Sequence, residues 1–118
     1  MKNLYTPNLK IRGHKEISPS EVILMKSIVN YTEIVLQDGE TILISKTLKN
    51  FEKQLQNSSF FRIHKSFLVN LNYFESYERD EMVLRLTNNI ELGVSRRRQS
   101  AFLKQLKNAR NNKLVAVS

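Results

Sequence analysis

Three consecutive arginines, Arg96, Arg97 and Arg98, stand directly after Ser95. A guanidinium presents five N–H donors in a planar fork, a shape that fits a phosphate or the edge of a guanine and that a lysine ammonium lacks. The residues that follow place the run in the first turn of a helix, because Gln99, Phe102, Leu103 and Leu106 fall on one face. At about 100° per residue, Arg97 projects roughly 170° from the centre of that face. Lys104 shares its outer side, and Arg96 and Arg98 flank the helix. Ser95 is placed to act as the N-cap. As structure alone the arrangement is unfavourable. A helix start carries roughly half a positive charge, so each arginine there costs about 0.3–1 kcal/mol. An anion at the same spot reverses the sign, since free amides, helix dipole and arginine forks then converge on it. The plain alternative is a solvated basic cluster. The outward placement in an acid-free stretch favours an anionic partner.

A second group lies at Arg62, His64 and Lys65, a short basic strip. His64 has the chemistry to titrate near neutral pH, but a single histidine on a strand is more often a hydrogen-bonded structural residue. The outward contact is therefore assigned to Lys65. Asn70 reads as a residue that satisfies turn backbone. Phe60, Phe61 and Phe67 have the shape of stacking platforms for unpaired bases, and core packing is the expectation for at least two of them.

No constellation for catalysis stands out. The chain has three glycines and no Gly-rich phosphate loop, and no Ser/His/Asp grouping is apparent. Glu78, Asp80 and Glu81 read as a solvated turn. There is no cysteine, and two histidines, His14 and His64, argue against a zinc site. The expectation is a protein that is not an enzyme and carries no cofactor.

The 118 residues suit one domain with a real core. The formal net charge is +8, and its distribution says more than its size. Residues 1–91 hold twelve basic and eleven acidic side chains; residues 92–118 hold seven basic and no acidic ones. Such asymmetry points to a polyanion, either nucleic acid or an anionic membrane surface. No apolar stretch is long enough to span a bilayer, and the N-terminus lacks the apolar core of a signal peptide. A cytoplasmic protein is expected.

These residues need elements to hold them. Residues 8–18 read as two extended runs around Gly13-His14, and Ser18-Pro19-Ser20 breaks the chain. Val22 to Met25 reads as a buried strand. Ile34 and Leu36 alternate with polar neighbours and lead into Asp38-Gly39, the signature of a tight two-residue hairpin turn; Ile42 and Ile44 continue on the return strand. Leu48, Phe51 and Leu55 lie on one helical face, capped by Ser45 or Thr47 and ended by Asn57-Ser58-Ser59. Extended structure resumes from Phe60 to about Tyr77. Met82, Leu84 and Leu86 share a strand face, Asn88-Asn89 tolerate left-handed geometry, and Ile90, Leu92 and Val94 alternate on the next strand. The sum is eight to ten short strands paired by hairpins, with two modest helices and antiparallel sheets. A phosphoacceptor receiver needs alternating parallel strands and helices and an acidic cluster, neither of which is present.

The run Phe60-Phe61-Arg62-Ile63-His64-Lys65-Ser66-Phe67-Leu68-Val69-Asn70-Leu71 closely resembles the central signature of LytTR domains, F-R-x-H-[RK]-S-[YF]-L-V-N. Val94-Ser95-Arg96-Arg97-Arg98 is similar to that family's terminal V-S-R-R. Asn30-Tyr31 before an apolar strand and the Thr47-Leu48 helix start fit the pattern in order and spacing. The resemblance covers residues 8–107, leaving an extension at 1–7 and a basic tail at 108–118. It implies an elongated, mainly β stack of short antiparallel sheets with two short helices. It also implies sequence-specific binding of double-stranded DNA through loops and strand ends, commonly by pairs of protomers on tandem sites of a bent duplex. The contact regions it implies are the loop around Asn30-Tyr31, the His64-Lys65 segment and the start of the last helix at Arg96-Arg97; with the basic neighbours read above, the candidate DNA-binding residues are Asn30, Tyr31, Arg62, His64, Lys65, Ser95, Arg96, Arg97, Arg98 and Lys104. The family often carries this domain behind a receiver or a membrane segment, and neither is seen here, which leaves room for a separate regulatory protein partner. Gly93 stands where the family often has proline.

Three functions follow for test: a regulator binding double-stranded DNA, a single-strand or RNA-binding β-domain using exposed phenylalanines, and an interaction module docking an acidic protein. The first is the leading expectation. The free protein is expected to be monomeric, because no large apolar stripe is visible.

Overall fold

The computed structural model of the chain describes residues 7–12 and 15–110. The strands are β1 Leu9–Arg12, β2 Lys15–Ile17, β3 Val22–Ile28, β4 Tyr31–Leu36, β5 Thr41–Ile44, β6 Phe60–His64, β7 Phe67–Asn70, β8 Phe74–Glu78, β9 Val83–Leu86 and β10 Ile90–Gly93; the helices are α1 Leu48–Gln54 and α2 Arg96–Arg110. They form three antiparallel sheets: β1-β2, a central β5-β4-β3-β7-β6, and β10-β9-β8. The body is elongated, 42 × 31 × 25 Å. The expected mainly β stack of short antiparallel sheets with two helices is therefore observed.

The central sheet is apolar on both faces, which explains the unbroken run Val22-Ile23-Leu24-Met25. A strand buried on one side alternates; this one has a bulge between Val22 and Leu24 opposite β4. The extra residue breaks the alternation, so the neighbours Ile23 and Leu24 serve one face while Val22 and Met25 serve the other. Val22 and Met25 join one core with Leu9, Ile17, Ile34, Ile44 and Phe51, under β1-β2 and α1. Ile23 and Leu24 join a second core with Ile63, Val69, Tyr77, Leu84 and Phe102, under β8–β10 and α2. Helix α1 starts at Thr47, whose side chain accepts from the Asn50 amide, and buries Leu48 and Phe51. Phe102 is fully buried, edge-on to Tyr77 at 4.9 Å between ring centroids and tilted against Phe61 at 5.9 Å. Truncating such an anchor to alanine costs about 3–5 kcal/mol. Phe60 is buried in the first core, and Phe61 and Phe67 pack against the second, so core packing is their observed role.

Several local readings change. The β4–β5 turn is not a two-residue one. Gly39 accepts positive φ (91°) but Asp38 does not, and the Gly39 amide donates to Leu36 O at 3.0 Å. This is a type I turn closed by a left-handed glycine, with the Asp38 carboxylate accepting from the Glu40 amide. Met82 lies outside β9, in the preceding turn with φ 56°, while Leu84 and Leu86 are buried as expected. The segment 60–77 is not one extended run. It holds a hairpin at Lys65-Ser66 and a 3-10 turn at Leu71–Tyr73 capped by Asn70. Asn88 and Asn89 both adopt left-handed φ. Helix α2 continues to Arg110, past the boundary expected after residue 107. The expected turn at Gly13-His14, residues 1–6 of the N-terminal extension and residues 111–118 of the basic tail lie outside the described residues.

Candidate nucleic-acid interface

Three segments far apart in sequence meet at one end of the central sheet. Strand β3 ends at the two-residue turn Val29-Asn30, and its Ser27 amide donates to Ser66 O at 2.9 Å in the β6–β7 turn. From β6, Ile63 O accepts the Ser95 amide at 2.9 Å, which pins the start of α2 to the same edge. Two backbone hydrogen bonds thus string together Asn30-Tyr31, Lys65 and Arg96-Arg97. All five side chains are exposed. Two carboxylates nearby are paired: Glu33 with Lys26 at 3.8 Å, and Glu52 with Arg62 at 2.7 Å.

The arginine run is oriented by the packing beneath it. With Phe102 and Leu106 buried and Gln99 and Leu103 half-buried, Arg97 and Lys104 face solvent, as the helical period predicts. Arg96 is exposed and Arg98 half-buried. Lys104 lies seven residues on, roughly 10 Å further along the axis. Tyr77 holds this helix from β8 of the three-stranded sheet, its hydroxyl donating to Gln99 Oε1. Burial pushes the Tyr77 pKa up, and the Arg79 charge only partly opposes that.

Two expected roles change. Ser95 stands at the N-cap position and its carbonyl accepts from the Arg98 amide at 3.0 Å, but its hydroxyl caps nothing. That Oγ is buried with no hydrogen-bond partner. Arg62 points away from the basic strip that its sequence position predicts. Strand alternation turns Phe61 and Ile63 toward the second core and puts the Arg62 side chain, with Phe60, on the α1 face of the sheet. There Nε donates to His64 O at 2.9 Å, Nη2 to Lys65 O and Nη1 to the Glu52 carboxylate. Arg62 braces the Lys65 turn from behind. His64 takes the structural role expected for its ring. Nδ1 accepts the Ser66 amide at 3.0 Å, which leaves the proton of a neutral ring on Nε2, and the ring lies 5.2 Å from that of Phe67. Asn70, also as expected, satisfies backbone: Nδ2 donates to Val22 O at 2.9 Å and Oδ1 accepts from the Asn72 amide.

Two further residues stand at this edge that local sequence pattern does not mark. The β4–β5 register sets Thr32 opposite Ile44, and the buried Thr32 hydroxyl donates to Lys46 O at 2.7 Å. The exposed Lys46 therefore stands beside Tyr31. Its signal was the hairpin register, which places residues 45–46 opposite 30–31. Val29 is the second. It is 89 % exposed and has φ 52°, a conformation that costs a β-branched residue about 1–2 kcal/mol. Ile28, Tyr31 and Leu43 are further large apolar residues exposed at this end of the sheet.

Among the described residues, no group of three or more His, Asp or Glu side chains is placed to hold a metal, and no helix is long and apolar enough to cross a membrane. The sheets and this edge define a β-stack domain that offers a basic, loop-built surface. The chain belongs to the LytTr DNA-binding domain family, which matches residues 13–107. That is a family of DNA-binding domains rather than of enzymes. The fold is similar to a solved LytTr DNA-binding domain from Bacillus cereus, with a TM-score of 0.72 and 27 % identity, covering 85 % of this chain and 94 % of that one. Among curated proteins, the chain is 28 % identical over 109 residues to the sensory transduction protein LytR of Staphylococcus epidermidis. The match covers 80 % of this chain and 43 % of that relative, so the chain spans less than half its length.

Proposed function

We propose that this protein is a transcription regulator that binds double-stranded DNA sequence-specifically in the cytoplasm. The observation that carries the reading is the convergence of Asn30-Tyr31, Lys65 and Arg96-Arg97 on one edge, tied through Ser27–Ser66 and Ile63–Ser95 hydrogen bonds. Arg97 projects furthest and reads a guanine edge bidentately in the major groove. Arg96, Arg98, Lys104, Lys65 and Lys46 hold the backbone phosphates, which position the protein without reading sequence. The α2 N-terminus adds its dipole to the same phosphates, so the repulsion that three arginines suffer there in the free protein becomes attraction on DNA. Two protomers bind tandem sites. The burial of Phe60 and the packing of Phe61 and Phe67 into the cores remove these three phenylalanines as platforms for unpaired bases, which disfavours the single-strand reading.

Fluorescence anisotropy with duplex DNA, single-stranded DNA and RNA over a range of salt tests the proposal. With about four to six phosphates neutralised per protomer, log K against log[salt] should have a slope between about −3.6 and −5.4 on duplex. Tighter binding to a single strand, or binding indifferent to salt, would overturn it.

A further inference from the structure

Val29 has no structural reason to be valine. It occupies the first position of a two-residue turn between the paired residues Ile28 and Tyr31, with φ 52°. Turns with positive φ at that position favour glycine, and asparagine tolerates it better than any β-branched residue. The usual compensation for such strain is packing, yet the side chain is 89 % exposed, far more than Ile28 at 41 %, Tyr31 at 46 % or Leu43 at 45 %. The turn is held firmly by the Ser27–Ser66 hydrogen bond, so the isopropyl group is presented at a fixed place on the same edge as Lys65 and Arg97. Strain kept at an exposed position on a binding edge is the pattern of a residue retained for its contact with a partner.

We infer that Val29 is a base-reading residue that packs against the C5-methyl group of a thymine in the major groove. This rests on the proposed binding of duplex DNA. In that groove the thymine methyl is the one apolar feature among donors and acceptors, and a small branched alkyl group recognises it by burial alone. Neighbouring Asn30 is exposed and carries the amide that pairs with an adenine edge. The turn is thus suited to an A·T pair or step, while Arg97 reads guanine elsewhere in the site.

The test begins with a duplex recovered from a random-sequence pool by selection on the full chain. Each thymine is then replaced in turn by deoxyuridine, which removes only the methyl group. At one position the wild-type protein is expected to lose about three- to fivefold in affinity, the effect of withdrawing one buried methyl. Val29→Ala should lose a similar factor on the thymine duplex and suffer no further loss on the deoxyuridine one. Val29→Gly should behave in the same way on DNA while its melting temperature rises by a few degrees, because the backbone strain is released. Selective binding with no position sensitive to deoxyuridine, or equal sensitivity in wild type and Val29→Ala, overturns this inference and leaves duplex recognition standing. A fall in melting temperature for Val29→Gly refutes the strain on which it is built. Failure to recover any preferred duplex overturns both readings.

Discussion

Replacing Arg62 by alanine separates bracing of the contact loop from contact with DNA. The guanidinium makes three hydrogen bonds: to His64 O at 2.9 Å, to Lys65 O, and to the Glu52 carboxylate at 2.7 Å. The Arg62 side chain is 14 % exposed and that of Glu52 41 %. An ion pair with one partner so open is screened and contributes under about 1 kcal/mol. The two carbonyl contacts use a charged donor, and such bonds contribute about 1.5–3 kcal/mol each when nothing replaces them. Here the turn is at the surface and water reaches its carbonyls in the variant, so the lower end applies. Adding the weak ion pair and the lost packing of the alkyl stem, Arg62→Ala should destabilise by about 3–4 kcal/mol, or roughly 15 °C for a domain this size. Affinity for duplex DNA should fall as well, because the Lys65 turn loosens. The salt slope should stay unchanged, since no phosphate contact is removed. Arg62→Lys should recover little, because an ammonium cannot fork between two carbonyls and a carboxylate. Thermal melting combined with anisotropy at several salt concentrations reads all of this. A slope shallower by about one with an unchanged melting temperature would refute the reasoning and return Arg62 to the DNA-contacting set.

Arg97→Ala is expected to cost about 1–3 kcal/mol on a selected duplex and to relax preference at one base pair, whereas Lys104→Ala weakens all duplexes alike and lowers the salt slope by about one; competition titrations against selected and scrambled duplexes distinguish the two. Ser95→Ala should be neutral within about 0.5 kcal/mol or slightly stabilising in chemical denaturation, because the hydroxyl is buried and unpartnered; the 0.5–2 kcal/mol loss typical of a removed N-cap would contradict its geometry. Tyr77 carries a pKa raised above its ordinary 10.0, so it adds no pH dependence below that value, where folded and unfolded chains both keep the proton. Above pH 10.0 the unfolded chain loses the proton first, and stability should fall as pH rises toward the folded-state pKa; melting curves of Tyr77→Phe should lack this component.

Much of this architecture is written locally. The period of Gln99, Phe102, Leu103 and Leu106 predicts α2 and places Arg97 and Lys104 outside, because helix facing depends only on spacing along the chain. The 90–94 alternation, the Asn88-Asn89 turn and a helix cap at Ser45 or Thr47 are legible for the same reason, each resting on residues within a few positions of one another; the structure selects Thr47. What the tertiary structure decided is whatever depends on pairing between distant strands. The edge exists because β3 lies beside β7 and because β6 receives the start of α2, contacts spanning 39 residues from Ser27 to Ser66 and 32 from Ile63 to Ser95. Bulges shift side chains between faces, and no short-range pattern marks them. The bulge in β3 puts the neighbours Ile23 and Leu24 into the same core, and the ion pair and carbonyl contacts that hold Arg62 behind the Lys65 turn depend on α1 being packed against that face. Register likewise brings Lys46 beside Tyr31. Composition marks Val29 only as another apolar residue. Its left-handed backbone and its exposure are forced by the turn that two paired strands must make, and only the folded sheet sets that turn's length.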